Sequence, residues 1–226
     1  DPVTHRFVLV YEGLGVGFGA RSFADGIDAV YFLGQKNYPI EFIENEFPVR
    51  ILRYGMHVDS AGPGRWRGGL GIVRDIEFLG EEGNFARRMD GAIFPPWGVN
   101  GGQGGRKGRV IINPGTEREE EISTVGDGFV LRRGDVVRFM TTGGGGWGHP
   151  AERPVELVQR DVECGFVSLE GARRDYGVVM DAGTRTVDEH ATSKLRHDLL
   201  SQPTDMFHRN DGYFSFKDEV TSNGNA

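Results

Sequence analysis

The side chains best able to do chemistry fall in one stretch, Pro48 to Gly71, where a short apolar run gives way to a loop carrying His57, Asp59, Ser60, Arg65 and Arg67. An imidazole and a hydroxyl can donate or accept, a carboxylate accepts, and guanidinium groups hold fixed positive charge. Gly62, Gly64, Gly68 and Gly69 are interleaved with them and let the backbone turn tightly or approach a ligand. Such a set suits an anionic or amide-like intermediate, with N–H groups and guanidinium charge set against a developing oxyanion. None of its residues reads as an activated nucleophile.

A second candidate is the segment TTGGGGWGHP, in which Gly143, Gly144, Gly145 and Gly146 precede Trp147 and His149. No Lys-Ser or Lys-Thr pair follows, so this is not a phosphate-binding P-loop. Two readings stay open: a packed backbone that excludes every side chain, or a loop shaped to approach substrate. Pro95 to Gly108 forms a third, long loop suited to a lid or a subunit contact. The G-x-G-x-x-A pattern at Gly15, Gly17 and Ala20 is followed by Asp25-Gly26 where a dinucleotide fold needs a helix, so it reads as a structural glycine bend.

The six histidines show no metal-binding spacing, and only His57 and His149 lie in candidate loops, where substrate contact competes with a structural role. Glu41, Glu44 and Glu46 alternate with apolar residues as on the solvated side of an extended segment, and Glu117 to Glu121 reads as an acidic turn.

These loops need a rigid frame. Thirty-six glycines beside apolar runs of four to six residues read as tightly turned β structure. Strands are expected at Phe7 to Tyr11, Ile27 to Leu33, Pro48 to Tyr54, Gly71 to Leu79, Ala92 to Phe94, Arg109 to Asn113, Phe129 to Leu131 and Val136 to Thr141. The last two flank Arg132 to Asp135, a connection suited to a hairpin. After Pro150 the pattern turns helical. Pro154 opens one helix that stops near Gly165, Ser168 caps a second that ends at Gly177, and Asp188 precedes a third with Ala191, Leu195 and Leu199 on one face. The fold class is therefore α+β, β-rich, with helices concentrated in the C-terminal third. The expected division is a β-rich glycine-loop region over 1–150, a helical region of the same domain over 151–200, and a mobile or partner-bound tail over 201–226.

A 226-residue chain that is 38% hydrophobic can bury a core. A net charge of −7 argues against nucleic-acid binding, and no apolar run is long enough to span a membrane. The single cysteine, Cys164, permits no internal disulfide and points to a reducing, cytoplasmic setting. The chain opens at Asp1 and runs at once into FVLVYE, as a strand entered in mid-fold would, so it reads as a piece or subunit of something larger.

Six segments in order carry a resemblance: GVGFGARSFADG, YPIEFIENEFP, RYGMHVDSAGPGRWRGGLGIVR, FPPWGVNGGQGG, LRRGDVVRFMTTGGGGWGHP and RDVECGFVSLEGARRDYGVV. Across roughly Glu12 to Leu199 the chain resembles the C-terminal half of the hydantoinase B/oxoprolinase family, which includes subunits of acetone and acetophenone carboxylases. The resemblance implies a multi-subunit, ATP-dependent enzyme in which a hydantoinase A-type partner uses ATP to activate a carbonyl or enolate oxygen. The B-type subunit then completes hydrolysis of a cyclic amide or, alternatively, carboxylation of a ketone; a non-catalytic scaffold chain is a further alternative. It also implies a divalent metal (Mn, Zn or Mg) whose ligands lie in the upstream half of the family, so no metal ligand is assigned here. In this setting Asp59 and Ser60 are expected to orient, Arg65 and Arg67 to neutralise charge, and His57, His149 and Gly143 to Gly146 to contact substrate.

Overall fold

The computed structural model describes residues 8–31, 36–209 and 213. In chain order its elements are α1 (Ile40–Glu46), β1 (Val49–Met56), β2 (Ile72–Phe78), β3 (Glu82–Arg88), β4 (Gly98–Val99), β5 (Arg109–Ile112), β6 (Glu120–Ile122), β7 (Val125–Arg132) and β8 (Val136–Met140). A 3-10 turn (Pro150–Glu152) then leads to α2 (Val155–Glu163), α3 (Leu169–Tyr176), α4 (Glu189–Leu200) and β9 (Phe207–His208). The architecture is α+β, with three of the four helices after residue 150.

The main sheet is antiparallel with strand order β1-β2-β8-β5-β6, and β3 pairs with β7 in a separate ribbon. Strand alternation places Val110, Ile112, Val137 and Phe139 on one face of the sheet. Leu131, Phe85 and Phe129 of the ribbon pack against that face, with the Phe85 and Phe139 rings edge-on at 5.7 Å. A second core joins Val158 and Val162 of α2 to Ala172 and Tyr176 of α3, with Val167 and Val178 closing it.

The helix ends follow capping chemistry. Ser168 Oγ accepts the Gly171 N–H at 2.9 Å, Asp188 Oδ1 accepts the Ala191 N–H at 2.9 Å, and Gly177 ends α3 in the left-handed region at φ 65°.

Several expectations are corrected. Glu41 to Phe47 is mostly the helix α1 and not an extended segment: Pro39 precedes it, and Ile40, Ile43 and Phe47 recur at helical spacing with Ile43 buried. Residues 8–11 and Ala92 to Phe94 form no strand; Phe7 lies outside the described residues. The expected strand Ile27 to Leu33 is a turn followed by one bridge, Val16 to Val30, with residues 32 and 33 outside the described residues. The acidic run ends in β6, which begins at Glu120. Strands β7 and β8 do not form a hairpin, because β7 joins β3 and β8 enters the main sheet between β2 and β5. The turn between them is held by Asp135, whose carboxylate accepts from the Arg132 N–H at 2.8 Å, Asn113 Nδ2 at 3.0 Å and Arg118 Nη1 at 3.0 Å. Burial raises the Asp135 carboxyl pKa, but these donors outweigh it and hold the pKa below the usual range.

Candidate functional site

The glycine-rich segments lie against one another and bond through their backbones. Gly62 donates to Gly144 O (2.8 Å), Gly144 to Gly69 O (2.9 Å), Gly69 to Phe18 O (2.7 Å), Ala20 to Gly145 O (2.8 Å) and Gly146 to Gln103 O (2.9 Å). Four stretches distant in sequence thus share one slab beside the main sheet, joined to it where Thr141 N–H donates to Ile72 O at 2.9 Å. Gly143, Gly144, Gly145 and Gly146 are all buried. A Cβ on Gly145 would stand 1.6 Å from Trp97 O and one on Gly143 1.9 Å from Ser60 O. Of the two readings of this segment, the geometry fits packed backbone. Gly15 and Gly17 belong to the same slab: a Cβ on Gly17 would meet Gly69 O at 1.9 Å, in keeping with a structural bend.

A buried ionic cluster locks the slab to the helical region. Arg67 Nη1 donates to Asp28 Oδ1 at 2.8 Å and to Gly68 O at 2.8 Å, its Nη2 to Asp28 Oδ2 at 3.2 Å, and its Nε to Asp161 Oδ1 at 3.3 Å. Arg153 forks onto Asp25 at 2.7 and 2.8 Å and donates to Asp161 Oδ2 at 2.9 Å. Phe166 covers the Arg67 guanidinium at 5.2 Å. Burial alone would lower the pKa of both arginines, but the carboxylates outweigh it and raise them, so both remain charged. Asp28, Arg153 and Asp161 escape sequence reading because the cluster is scattered along the chain with no shared spacing; the Asp25-Gly26 step is visible only as a turn.

The remaining expected site residues separate into inward and outward groups. Ser60 is fully buried and its Oγ accepts the Gly71 N–H at 2.9 Å. Asp59 takes a left-handed φ of 60°, and its Oδ1 accepts the Ser168 N–H at 2.8 Å, tying the loop to the start of α3. His57 Nδ1 lies 3.0 Å from Thr141 O, so it donates to that carbonyl. Arg65 is exposed, and its guanidinium makes no ion pair among the described residues. His149 Nδ1 accepts the Ala151 N–H at 3.1 Å, and its ring lines a cleft of about 190 Å³ beside the slab.

His57 gives a pH signature. Burial lowers its pKa from 6.5, while the bond to Thr141 O raises it to a smaller extent. Between that depressed value and the unfolded value of 6.5 the unfolded chain binds more protons than the folded chain. Folding stability is therefore expected to fall as pH drops through this window, and His57→Gln should flatten that part of a denaturation-versus-pH profile. An unchanged profile in the variant would remove His57 as the cause.

Among the described residues no group of three or more His, Cys, Asp or Glu side chains is arranged to hold a metal ion. No helix among them is long and apolar enough to cross a membrane.

The family model described as hydantoinase B/oxoprolinase matches residues 1–150. The B-type subunit of a putative D-/L-hydantoinase from Pseudomonas sp. (strain NS671) is 34% identical over 193 residues, covering 84% of this chain and 32% of the relative. The crystal structure of the ATP-dependent caprolactamase from Pseudomonas jessenii superimposes with a TM-score of 0.73 at 29% identity, over 87% of this chain and 36% of that one. An acetone carboxylase, solved without nucleotide, matches at TM-score 0.72 and 21% identity, over 84% of this chain and 31% of that one, a likeness of fold alone. The chain spans about a third of the length of the hydantoinase and caprolactamase subunits it matches.

Proposed function

The chain belongs to the hydantoinase B/oxoprolinase family, and from that premise we propose that it forms part of an ATP-dependent enzyme that opens a cyclic amide. The observation carrying this reading is the joint likeness, above 25% identity, to a hydantoinase subunit and to the caprolactamase structure. The ATP-using step belongs to a hydantoinase A-type partner, and the rest of the B-type fold completes the site. On the family resemblance, the ligands of any divalent ion are placed outside this chain.

Within that division this chain contributes a rigid wall. Gly144, Gly146, Ser60 and Arg67 keep the wall in place, since their groups are spent on internal bonds. Arg65, whose exposed guanidinium is unpaired among the described residues, is the group left to neutralise an activated, negatively charged intermediate. His57 and Asp59 stand at the slab's edge and fix the loop that carries it.

The test is ADP formation by the purified assembly containing this chain. Hydantoin, 2-pyrrolidone and caprolactam are supplied in separate reactions, with acetone plus bicarbonate as the contrast. ADP formation driven by a cyclic amide is expected. Formation driven by the ketone and bicarbonate alone would replace this reading with a carboxylase.

A further inference from the structure

The chain after α4 turns back over the slab, and its hold there is slight. Asn100 N–H donates to Met206 O at 2.7 Å and Gly101 N–H to Asp205 O at 3.1 Å, while β9 pairs with β4, Gly98 to His208 and Val99 to Phe207. Phe207 meets the Trp97 ring edge-on at 6.4 Å. Every residue from 201 to 208 is nonetheless exposed, Phe207 at 49% and Met206 at 59%, so little apolar burial supports this strap. Its attachment depends on a few hydrogen bonds, each of modest net worth, which places it at the low end of local stability.

One of these bonds can be broken by a proton. Gly104 N–H donates to His208 Nδ1 at 3.1 Å, and a backbone amide only donates, so Nδ1 must keep its lone pair. An imidazolium carries N–H at both nitrogens and has nothing to offer that amide. The surrounding charges do not reverse the sign. Asp205, on the strap itself, lines the same cleft, but it is exposed and its pull on a charged ring is screened. Asp175 of α3 also lines the cleft, with its two oxygens held by Arg174 at 2.7 and 2.6 Å and Arg106 beside them at 3.9 Å. Arg209, stacked on Trp97 at 4.9 Å, follows His208 and brings like charge to the same end. His149 faces the cleft with its Nδ1 accepting from Ala151 N–H at 3.1 Å, and it adds a further positive charge when protonated. No other residue lining the cleft titrates.

We propose that the segment Gln202 to His208 is a pH-operated strap, latched onto the slab by the neutral ring of His208 and let go when that ring is protonated. Release takes the β9 partner off the edge of β4, uncovers Gly98 to Gly101 and opens the cleft at His149. The docked strap holds Nδ1 unprotonated, whereas the released strap takes up the proton freely, so the released form binds more protons and gains as pH falls. Docking is complete above the ordinary imidazole range, about pH 6.5, and weakens below it. The device requires no ligand and does not rest on the function proposed above.

Amide hydrogen exchange on the full 226-residue chain tests this at Asn100 and Gly101, whose N–H groups bond the strap. It is measured at about pH 7.5 and about pH 5.5, on either side of the imidazole range, with each rate divided by that of an unfolded amide at the same pH. Protection at both amides should fall about fivefold to tenfold at the lower pH, the loss of one hydrogen bond, beyond any change at Val110 in the sheet core. His208→Asn puts an amide oxygen near the place of Nδ1 and cannot titrate, so its protection should be the same at both pH values. His208→Ala removes the acceptor and should leave both amides weakly protected throughout. Protection in the parent that does not change with pH would overturn the proposal, as would parent-like protection in His208→Ala. The same fall in His208→Asn would assign the pH dependence to another group, His149 first, and overturn it equally.

Discussion

Replacing Gly145 by alanine is expected to destabilise the chain by more than about 3 kcal/mol, enough to lower its thermal midpoint by roughly 6–12 °C for a domain of this size. The added Cβ would stand 1.6 Å from Trp97 O, a backbone atom that cannot swing aside as a side chain would. Relief requires the 97–105 stretch of the slab to shift, and that stretch is bonded through Val99 N–H to Gly146 O and through Gln103 N–H to Pro63 O. The disturbance therefore reaches the loop carrying Arg65 and Arg67. Gly55→Ala is the control: it lies in β1 with nothing within 4 Å of the place its methyl group would take, and alanine there should be neutral or slightly stabilising. Thermal denaturation of the two variants beside the parent decides the matter. Equal midpoints would mean that the slab yields easily and is no wall.

The second large effect is expected at Asp161. Its carboxylate receives Arg67 on one oxygen and Arg153 on the other, and the side chains of the three residues are 8%, 6% and 1% exposed. Asp161→Ala would leave two buried guanidinium groups each short of a counter-charge. Breaking a buried pair by removing one partner costs about 3–5 kcal/mol, because the remaining charge stays desolvated. Asp28 and Asp25 still face the two arginines, which places the expected loss at the lower end of that range. Urea denaturation should register this as a lower midpoint, whereas Arg65→Met, on the exposed side of the same loop, should change stability by less than about 0.5 kcal/mol. A similar loss in both variants would mean that burial is not what makes the cluster costly to break.

The legible part of the fold is the part whose signal lies in side chains. Strands β1, β2, β5 and β8 announce themselves as short apolar runs, and α2, α3 and α4 through Pro154, Ser168, Gly177 and Asp188 at their ends. Strand β3 is hidden because its inward positions are Gly83, Phe85 and Arg87, which offer a single large apolar side chain. The slab is hidden for a different reason. Its cohesion comes from N–H to C=O bonds between segments far apart in the chain, such as Gly17 to Thr142 and Ala20 to Gly145, and glycine leaves no periodic trace of such pairing.

The site follows the same rule. His57, Asp59, Arg65 and His149 are visible in the sequence as polar groups in glycine-rich loops, and the structure sets them along one slab. What sequence does not distinguish is Arg65 from Arg67, two positions apart: one projects outward, while the other is consumed by Asp28 and Asp161. Nothing in GRWRGG says which of the two turns inward, because the answer is supplied by carboxylates 39 and 94 residues away. His208 is invisible for a comparable reason, since its partner, the amide of Gly104, lies 104 positions upstream.

The central claim is that the four consecutive glycines form a closed wall and not an open mouth for substrate. Amide hydrogen exchange at Gly144 and Gly146 tests it most directly, because their N–H groups donate to Gly69 O and Gln103 O inside the slab. The account predicts exchange as slow as that of Val110 in the sheet core, released only when the whole fold opens. Exchange at these two amides as fast as in an exposed loop, with Val110 still protected, would contradict it.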